Sequence, residues 1–300
     1  MRGRIRVIMT QTEKSEKKST PEKTRESLFW LLASQAKSQL IIEALNKVDR
    51  RDFAPPDCEN VYDDEIVELG DGASISQPAL VLEMIEWLAP KGGGKVLEIG
   101  TGSGWNAALL ACCFDKVYTI EYNPALAESA RQKLKEKGFD NAEVVVGDGI
   151  LGLTEQGPYD AIIVTAGITE IPKNLALQLN PRFGRLVAPA GKDPRDQMLV
   201  VLTRIEGEFL IRRARNVNFH LLMSEHKGGW TKEAIEEIEK QKRDFVIKMI
   251  EESGWSEEEV NDRITRICGK PFSPNLLAEI YSLEKLRELQ QLLGKSQEKA

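Results

Sequence analysis

One stretch limits what this chain can fold into more than any other: Lys95-Val96-Leu97-Glu98-Ile99-Gly100-Thr101-Gly102-Ser103-Gly104-Trp105-Asn106-Ala107-Ala108-Leu109-Leu110. Its first residues are a short apolar run with strand character. Glycine then stands at every second position, and an Ala/Leu-rich helical pattern follows at once. Glycine reaches positive φ and lets the backbone approach a ligand with no Cβ in between. A strand that passes into a helix through such a loop belongs at the carboxyl end of a parallel sheet, where nucleotide-like ligands bind. The spacing is Gly-x-Gly-x-Gly with Glu98 two residues ahead of it, not the Gly-x-Gly-x-x-Gly of dinucleotide-binding folds.

The flanking pattern extends this corner into a domain. Strands are predicted over 116–120, 142–146, 159–164 and 185–188, with helices over 124–137 and around 173–179 and a hairpin of 197–204 with 207–212. Strands alternating with helices of this length predict an α/β fold, a doubly wound, mostly parallel sheet with an antiparallel edge. Upstream, a helical pattern runs from Glu26 to near Arg50, where Phe53-Ala54-Pro55-Pro56 cannot continue it. A further helix over 79–88 leads into the linker 90–94.

The chain therefore divides into a mobile polar segment (1–25), a main unit (26–230) and an all-helical extension (231–300). Within the middle unit, 26–94 is a substrate-side helical region and 95–230 the ligand-binding sheet. The extension is predicted to hold helices over 232–252, 256–267 and 274–293. The last places Leu276, Ile280, Leu283, Leu286, Leu289 and Leu293 on one face, for docking on the main domain or for a homo-oligomer or partner contact.

Bulk properties exclude some classes. A net charge of −6 and a pI near 5.3 argue against a dedicated nucleic-acid binder. No apolar run approaches the roughly 18 residues that a membrane span requires, so no membrane partner is expected. Arg2, Arg4 and Arg6 precede no apolar segment, so no secretory signal is expected. Cys58, Cys112, Cys113 and Cys268 form no C-x-x-C pair, which favours thiols acting as small apolar residues over zinc or disulfide use, and a cytoplasmic setting.

The glycine loop with Glu98 before it resembles motif I of S-adenosylmethionine-dependent methyltransferases. That reading assigns Glu98, Gly100, Thr101, Gly102, Ser103 and Gly104 to binding S-adenosyl-L-methionine, with Gly100, Gly102 and Gly104 forming the close-approach loop for its methionine portion. Glu121, at the end of the next strand, would accept hydrogen bonds from the ribose hydroxyls. Asp148, with Gly149 beside it after the third strand, would accept the adenine amino hydrogens. Methyltransferases acting on the amino nitrogens of adenine or cytosine or on the glutamine amide typically show Asp/Asn-Pro-Pro-Tyr/Phe after the fourth strand, where this chain has Thr165-Ala166-Gly167-Ile168. The only histidines are His220 and His226, and no His/Asp metal cluster is apparent in the sequence. A carboxylate acceptor, with a pKa of roughly 4, is already ionised at neutral pH and needs orientation rather than a base.

A more specific resemblance follows. The segment Gly72-Ala73-Ser74-Ile75-Ser76-Gln77-Pro78, followed by motif I, is similar to the protein-L-isoaspartate O-methyltransferase family. The likeness extends to Val48-Asp49-Arg50-Arg51-Asp52-Phe53, to Val145-Val146-Gly147-Asp148-Gly149, to Ile171-Pro172 and to Gly184-Arg185-Leu186-Val187, over about residues 38–230. It implies a class I methyltransferase fold and methyl transfer from S-adenosylmethionine to the free carboxylate of L-isoaspartyl residues in damaged proteins, with repair through a succinimide. It further implies that Ser76 orients the reacting carboxylate, that Ser74, Ile75, Gln77, Phe219 and His220 contact the substrate, and that Asp71 lies in the neighbouring loop. Read without the resemblance, Ser76 is equally an N-cap for the helix that starts near Pro78.

Three departures stand out: Trp105 followed by Asn106 where the family carries Tyr after motif I, Phe183-Gly184 in place of Gly-Gly, and Val217-Asn218-Phe219-His220-Leu221-Leu222 in place of Val-x-Phe-Val-Pro-Leu. The last bears on acceptor identity more than on cofactor use. Other readings stay open at this stage: carboxyl methylation of a different dedicated protein, a cofactor-binding adaptor without turnover, and RNA methylation, which the acidic balance disfavours.

Overall fold

The computed structural model describes residues 23–70, 73–193, 195–236 and 240. Helices α1 (Arg25–Gln35) and α2 (Gln39–Lys47) lead through a 3₁₀ turn at Arg50–Asp52 to a small antiparallel hairpin, β1 (Val67–Gly70) with β2 (Ala73–Ile75). Then come α3 (Pro78–Leu88), β3 (Lys95–Ile99), α4 (Trp105–Cys113), β4 (Lys116–Glu121), α5 (Pro124–Glu136) and β5 (Ala142–Val146). β6 (Ala161–Val164), α6 (Lys173–Leu177), β7 (Gly184–Ala190), β8 (Gln197–Ile205) and β9 (Glu208–Val217) complete the described elements.

The main sheet has seven strands in the order β5-β4-β3-β6-β7-β8-β9. The first five run parallel, and β8 and β9 add an antiparallel edge. This is the doubly wound sheet that the alternating pattern predicts. Side chains along β3 divide between two cores, as a period of two requires. Val96 packs with α1 to α5, including Ile41, Leu82 and Leu109, while Leu97 and Ile99 pack on the opposite face with Tyr159, Ile162 and Leu175. The chain winds outward from β3 through α4 and α5, then crosses to β6 on the other side. β3 and β6 are therefore adjacent at the topological switch point, where a crevice opens beyond the strand ends.

The structure redraws three sequence expectations. The helix predicted from Glu26 to Arg50 is two helices. Ala36 leaves helical geometry (ψ 138°), and the Glu86 carboxylate on α3 accepts hydrogen bonds from the backbone N–H groups of Lys37 and Ser38, at 2.7 and 3.0 Å. The predicted strand 159–164 starts at Ala161, because Tyr159 pairs with Leu179 instead. The β1–β2 hairpin replaces what reads in sequence as a glycine-punctuated loop. Of the predicted extension, 232–236 is helical. Residue 240 is helical as well, while 237–239, 241–252, the helices over 256–267 and 274–293, Cys268 and nearly all of the segment 1–25 lie outside the described residues.

Candidate active site

The glycine loop sits at that switch point. Gly100 has φ +94°, which an L side chain rarely adopts, and a Cβ there would lie 2.6 Å from the Thr165 hydroxyl oxygen. The Thr165 hydroxyl lies against the carbonyls of Ile99 and Gly100, at 2.9 and 2.6 Å, and ties the end of β6 to the end of β3. Gly104, at φ +89°, is the N-cap of α4 and has no side chain to cap it; the first N–H of the helix, that of Trp105, donates to Ser103 Oγ at 3.2 Å. Together with the Ser74–Ser76 segment these residues line a cleft that is partly open to solvent.

Glu98 lies beneath the cleft rather than in it. It is fully buried and accepts hydrogen bonds from Thr119 Oγ1 (2.5 Å) and Asn106 Nδ2 (2.7 Å). Thr119 Oγ1 also lies 2.6 Å from Thr101 Oγ1, so one chain of contacts runs from the loop through the sheet to α4. Burial pushes the Glu98 carboxyl up to about 8 against the opposing effect of its two donors, and the nearby Glu121 adds to the rise. With its amide nitrogen held by Glu98, Asn106 presents a buried oxygen without a protein hydrogen-bond partner, and the residue lines the cleft. Buried acceptors are nearly always satisfied, so this atom points to a donor on a ligand.

The other acids stand at successive strand ends, as predicted. Glu121 closes β4 and is mostly buried; its oxygens accept from the N–H groups of Gly102 (2.8 Å) and Asn123 (3.0 Å) and hold the glycine loop. Asp148 follows β5. One oxygen accepts from the Ile150 N–H (3.0 Å), and the other accepts from the Ser224 hydroxyl (2.7 Å), with His226 Nε2 at 3.9 Å. Gly149 is buried against Ile99, whose Cγ2 would collide with any Cβ placed there.

Across the cleft, Ser74, Ile75 and Ser76 form the facing wall. Ser76 does not cap α3. The N-cap residue is Gln77, Pro78 occupies the first turn, and the cap bond comes from Asp64, whose Oδ1 accepts from the Ala79 N–H at 2.7 Å. The Gln77 side chain donates to Asp64 Oδ2 (3.1 Å) and so supports the wall from outside the cleft. Among the described residues the Ser76 hydroxyl has no hydrogen-bond partner.

Phe219 lines the cleft, held by backbone bonds to the Gln197 side chain at 3.0 Å in each direction. His220 is exposed and does not line it; its carbonyl accepts from the Gly167 N–H at 2.6 Å. Residues 218–222 are not a strand, and Leu221 makes only a bridge to Gly167. Asp71 and Gly72 lie outside the described residues. Of the predicted residues, Ser74, Ile75, Ser76, Gly100, Thr101, Gly102, Ser103 and Phe219 meet in one cleft, and Glu98 and Glu121 support it. Sequence reasoning missed Thr165, Asn106, Asp64 and Ser224. The first two adjoin strands or motifs already noticed; the last two carry no local signal, since they act at 15 and 76 residues' separation.

A glycine corner at the switch point of a doubly wound sheet, with acids at the next two strand ends, defines the class I methyltransferase architecture. Comparison with known proteins narrows this. Residues 23–227 match the family model described as protein-L-isoaspartate(D-aspartate) O-methyltransferase. The chain is 45% identical over 181 residues to the protein-L-isoaspartate O-methyltransferase of Methanoculleus marisnigri, covering 60% of this chain and 81% of that protein. It is 37% identical over 219 residues to that of Pelotomaculum thermopropionicum, covering 73% and 94%. A solved protein-L-isoaspartate O-methyltransferase superposes with a TM-score of 0.62 at 29% identity, over 69% of this chain and 67% of that one. The chain belongs to the protein-L-isoaspartate(D-aspartate) O-methyltransferase family.

Proposed function

We propose that this protein transfers the methyl group of S-adenosylmethionine to the free carboxylate of L-isoaspartyl residues in damaged proteins, and so initiates their repair through a succinimide. The observation that carries this reading is the Ser76 hydroxyl, which is free of the helix cap and stands on the wall facing the glycine loop. A hydroxyl with no protein partner, opposite a cofactor corner, suits donation to one oxygen of an acceptor carboxylate. That leaves the other oxygen to face the methyl group.

The residues present fit the cofactor. The loop from Gly100 to Gly104 admits close approach, and the Asn106 oxygen offers an acceptor to a ligand ammonium. Glu121 and Asp148 each keep further lone pairs beyond their protein bonds, for the ribose and the adenine amino group. When bound, S-adenosylmethionine supplies an electrophilic methyl group on a sulfonium. The protein's part is orientation. The acceptor is ionised above its pKa of roughly 4, so the cleft has to align an oxygen and exclude water rather than remove a proton. Asp148 is held ready by Ser224 and by its own turn, which limits the entropy lost when a ligand docks.

We assign residues 26–230 to the catalytic domain and 231–300 to an extension that contacts the main domain or a partner. Among the described residues no helix is long and apolar enough to cross a membrane. The cysteine spacing supports a cytoplasmic enzyme. The deciding measurement is methyl transfer to an isoaspartyl peptide and to its aspartyl twin. Transfer to the isoaspartyl form alone is the expected result; transfer to neither would overturn the assignment.

A further inference from the structure

Arg50 is almost completely buried, at 2% exposure, yet among the described residues no carboxylate hydrogen-bonds to it. Its guanidinium donates instead to backbone carbonyls. Nη1 reaches Val61 (2.8 Å) and Asp63 (3.1 Å); Nη2 reaches Glu65 (2.8 Å), Ser76 (3.1 Å) and, more weakly, Ile75 (3.4 Å). The same group lies over the Trp105 ring, 5.2 Å from its centroid. Burial lowers its pKa to about 10, which leaves it charged at neutral pH.

A buried cation is costly unless strongly compensated, and well-packed apolar residues would hold a core together at least as well. What this arrangement supplies is geometry. Ile75 and Ser76 belong to the acceptor wall, whereas Trp105 opens α4 on the cofactor wall. One planar, rigid group therefore touches both sides of the cleft. The fork of Arg can gather several carbonyls in fixed directions and stack on a ring, which the point charge of Lys cannot do.

We propose that Arg50 is a positioning residue for the acceptor: its guanidinium, bonded to the Ser76 carbonyl and stacked on Trp105, fixes the Ser76 wall at its working distance from the glycine loop. Trp105 offers that cation the largest aromatic face among the side chains. This inference rests on the assignment of Ser76 to the acceptor carboxylate.

The test compares the full-length wild type with R50K and R50M, measuring kcat and KM for an isoaspartyl peptide and, by calorimetry, the Kd of S-adenosylhomocysteine. A wall displaced by about an ångström should raise the peptide KM about tenfold in R50K and about a hundredfold in R50M. The Kd of S-adenosylhomocysteine should move less than about threefold, because the glycine loop keeps its own anchors. A merely structural Arg50 would lower the amount of active enzyme and leave both constants of the folded fraction unchanged, and that result would overturn the proposal. Equal weakening of peptide and S-adenosylhomocysteine would overturn it too. If R50M does not fold, R50K, which retains the charge and three donors, decides alone. No transfer by the wild type removes the functional assignment and this inference together. A normal wild type with an unchanged peptide KM in R50K removes only the inference.

Discussion

The glycine loop between β3 and α4 is held by its neighbours in the main sheet, whereas the Ser74–Ser76 wall opposite, beyond the pairing of β2 with β1, is held by side chains from scattered parts of the chain. On the first side, Thr165 from the adjacent strand end, Glu121 from the next one and Thr119 within the sheet all follow from the register of β3 with β4 and β6. On the second side, Arg50 and Asp64 come from irregular segments 26 and 15 residues from their partners. A wall dictated by backbone register leaves little freedom to drift. A wall held largely by side chains can change with them, and that is the side to which the proposed function assigns the acceptor.

The comparison breaks most visibly at Gly100. In Gly100→Ala the new Cβ meets the Thr165 hydroxyl at 2.6 Å while φ is +94°. Strain of this kind costs about 1–3 kcal/mol and cannot be relieved without moving β6, so S-adenosylhomocysteine binding should fall by about 5- to 150-fold. Calorimetry checks this, and near-normal affinity would show that the cofactor wall is more compliant than its register suggests. Asp148→Ala should weaken the same ligand by about 1–3 kcal/mol, since it removes an acceptor and strands the Ser224 hydroxyl, which is buried.

Ser76→Ala tests the opposite wall. Turnover on an isoaspartyl peptide should fall about tenfold, the worth of one hydrogen bond to a charged group, with S-adenosylhomocysteine affinity unchanged. Because Ser76 does not cap α3, thermal stability should also be unchanged. A drop in melting temperature, with turnover per folded molecule intact, would return Ser76 to a structural role.

The same contrast explains what could be read from the sequence. The order of elements, the parallel sheet and its antiparallel edge follow from the alternation of apolar runs with helical patterns. The glycine corner, with Glu121 and Asp148 after it, is legible because local backbone demands fix residue types at fixed spacings. The roles of Glu98 and Ser76 were less so. Glu98 reads as a ligand-facing acid but points inward to Asn106, because on β3 it shares a face with Val96 beneath α4. Ser76 reads as a helix cap until Asp64 is seen to occupy that role. Side chains that act across long separations leave no periodic trace, so Arg50, Asp64 and Ser224 emerge only from the fold.

Glu98 also sets a pH dependence. Its carboxyl is raised from an ordinary 4.5 to about 8 by burial, so between those values the folded state binds the proton more tightly than the unfolded chain. Folding stability should therefore decline as pH rises through that window, by an amount on the order of 5 kcal/mol, and level off above it. Glu98→Gln should flatten the slope. Melting temperatures measured between pH 5 and 9 check this, and a stability that rises over that range in the wild type only would contradict it.

The smallest effect is expected at Asp64, and it bears most directly on whether the walls are independent. Its carboxylate supplies the cap of α3 and holds Gln77, the residue after Ser76, but it touches nothing on the glycine loop. Asp64→Ala should cost about 1 kcal/mol, the usual worth of an N-cap. That corresponds to a fall of about 2–4 °C in melting temperature for a domain of this size. Asp64→Asn should recover most of the loss, because one oxygen remains to accept from the Ala79 N–H. Loosening the start of α3 should reach Ser76 through Gln77 alone, so the isoaspartyl peptide KM should rise about twofold while S-adenosylhomocysteine affinity stays put. If S-adenosylhomocysteine affinity fell in step with the peptide's, the two walls would be moving as one body, and acceptor choice could not be altered without also disturbing the cofactor site.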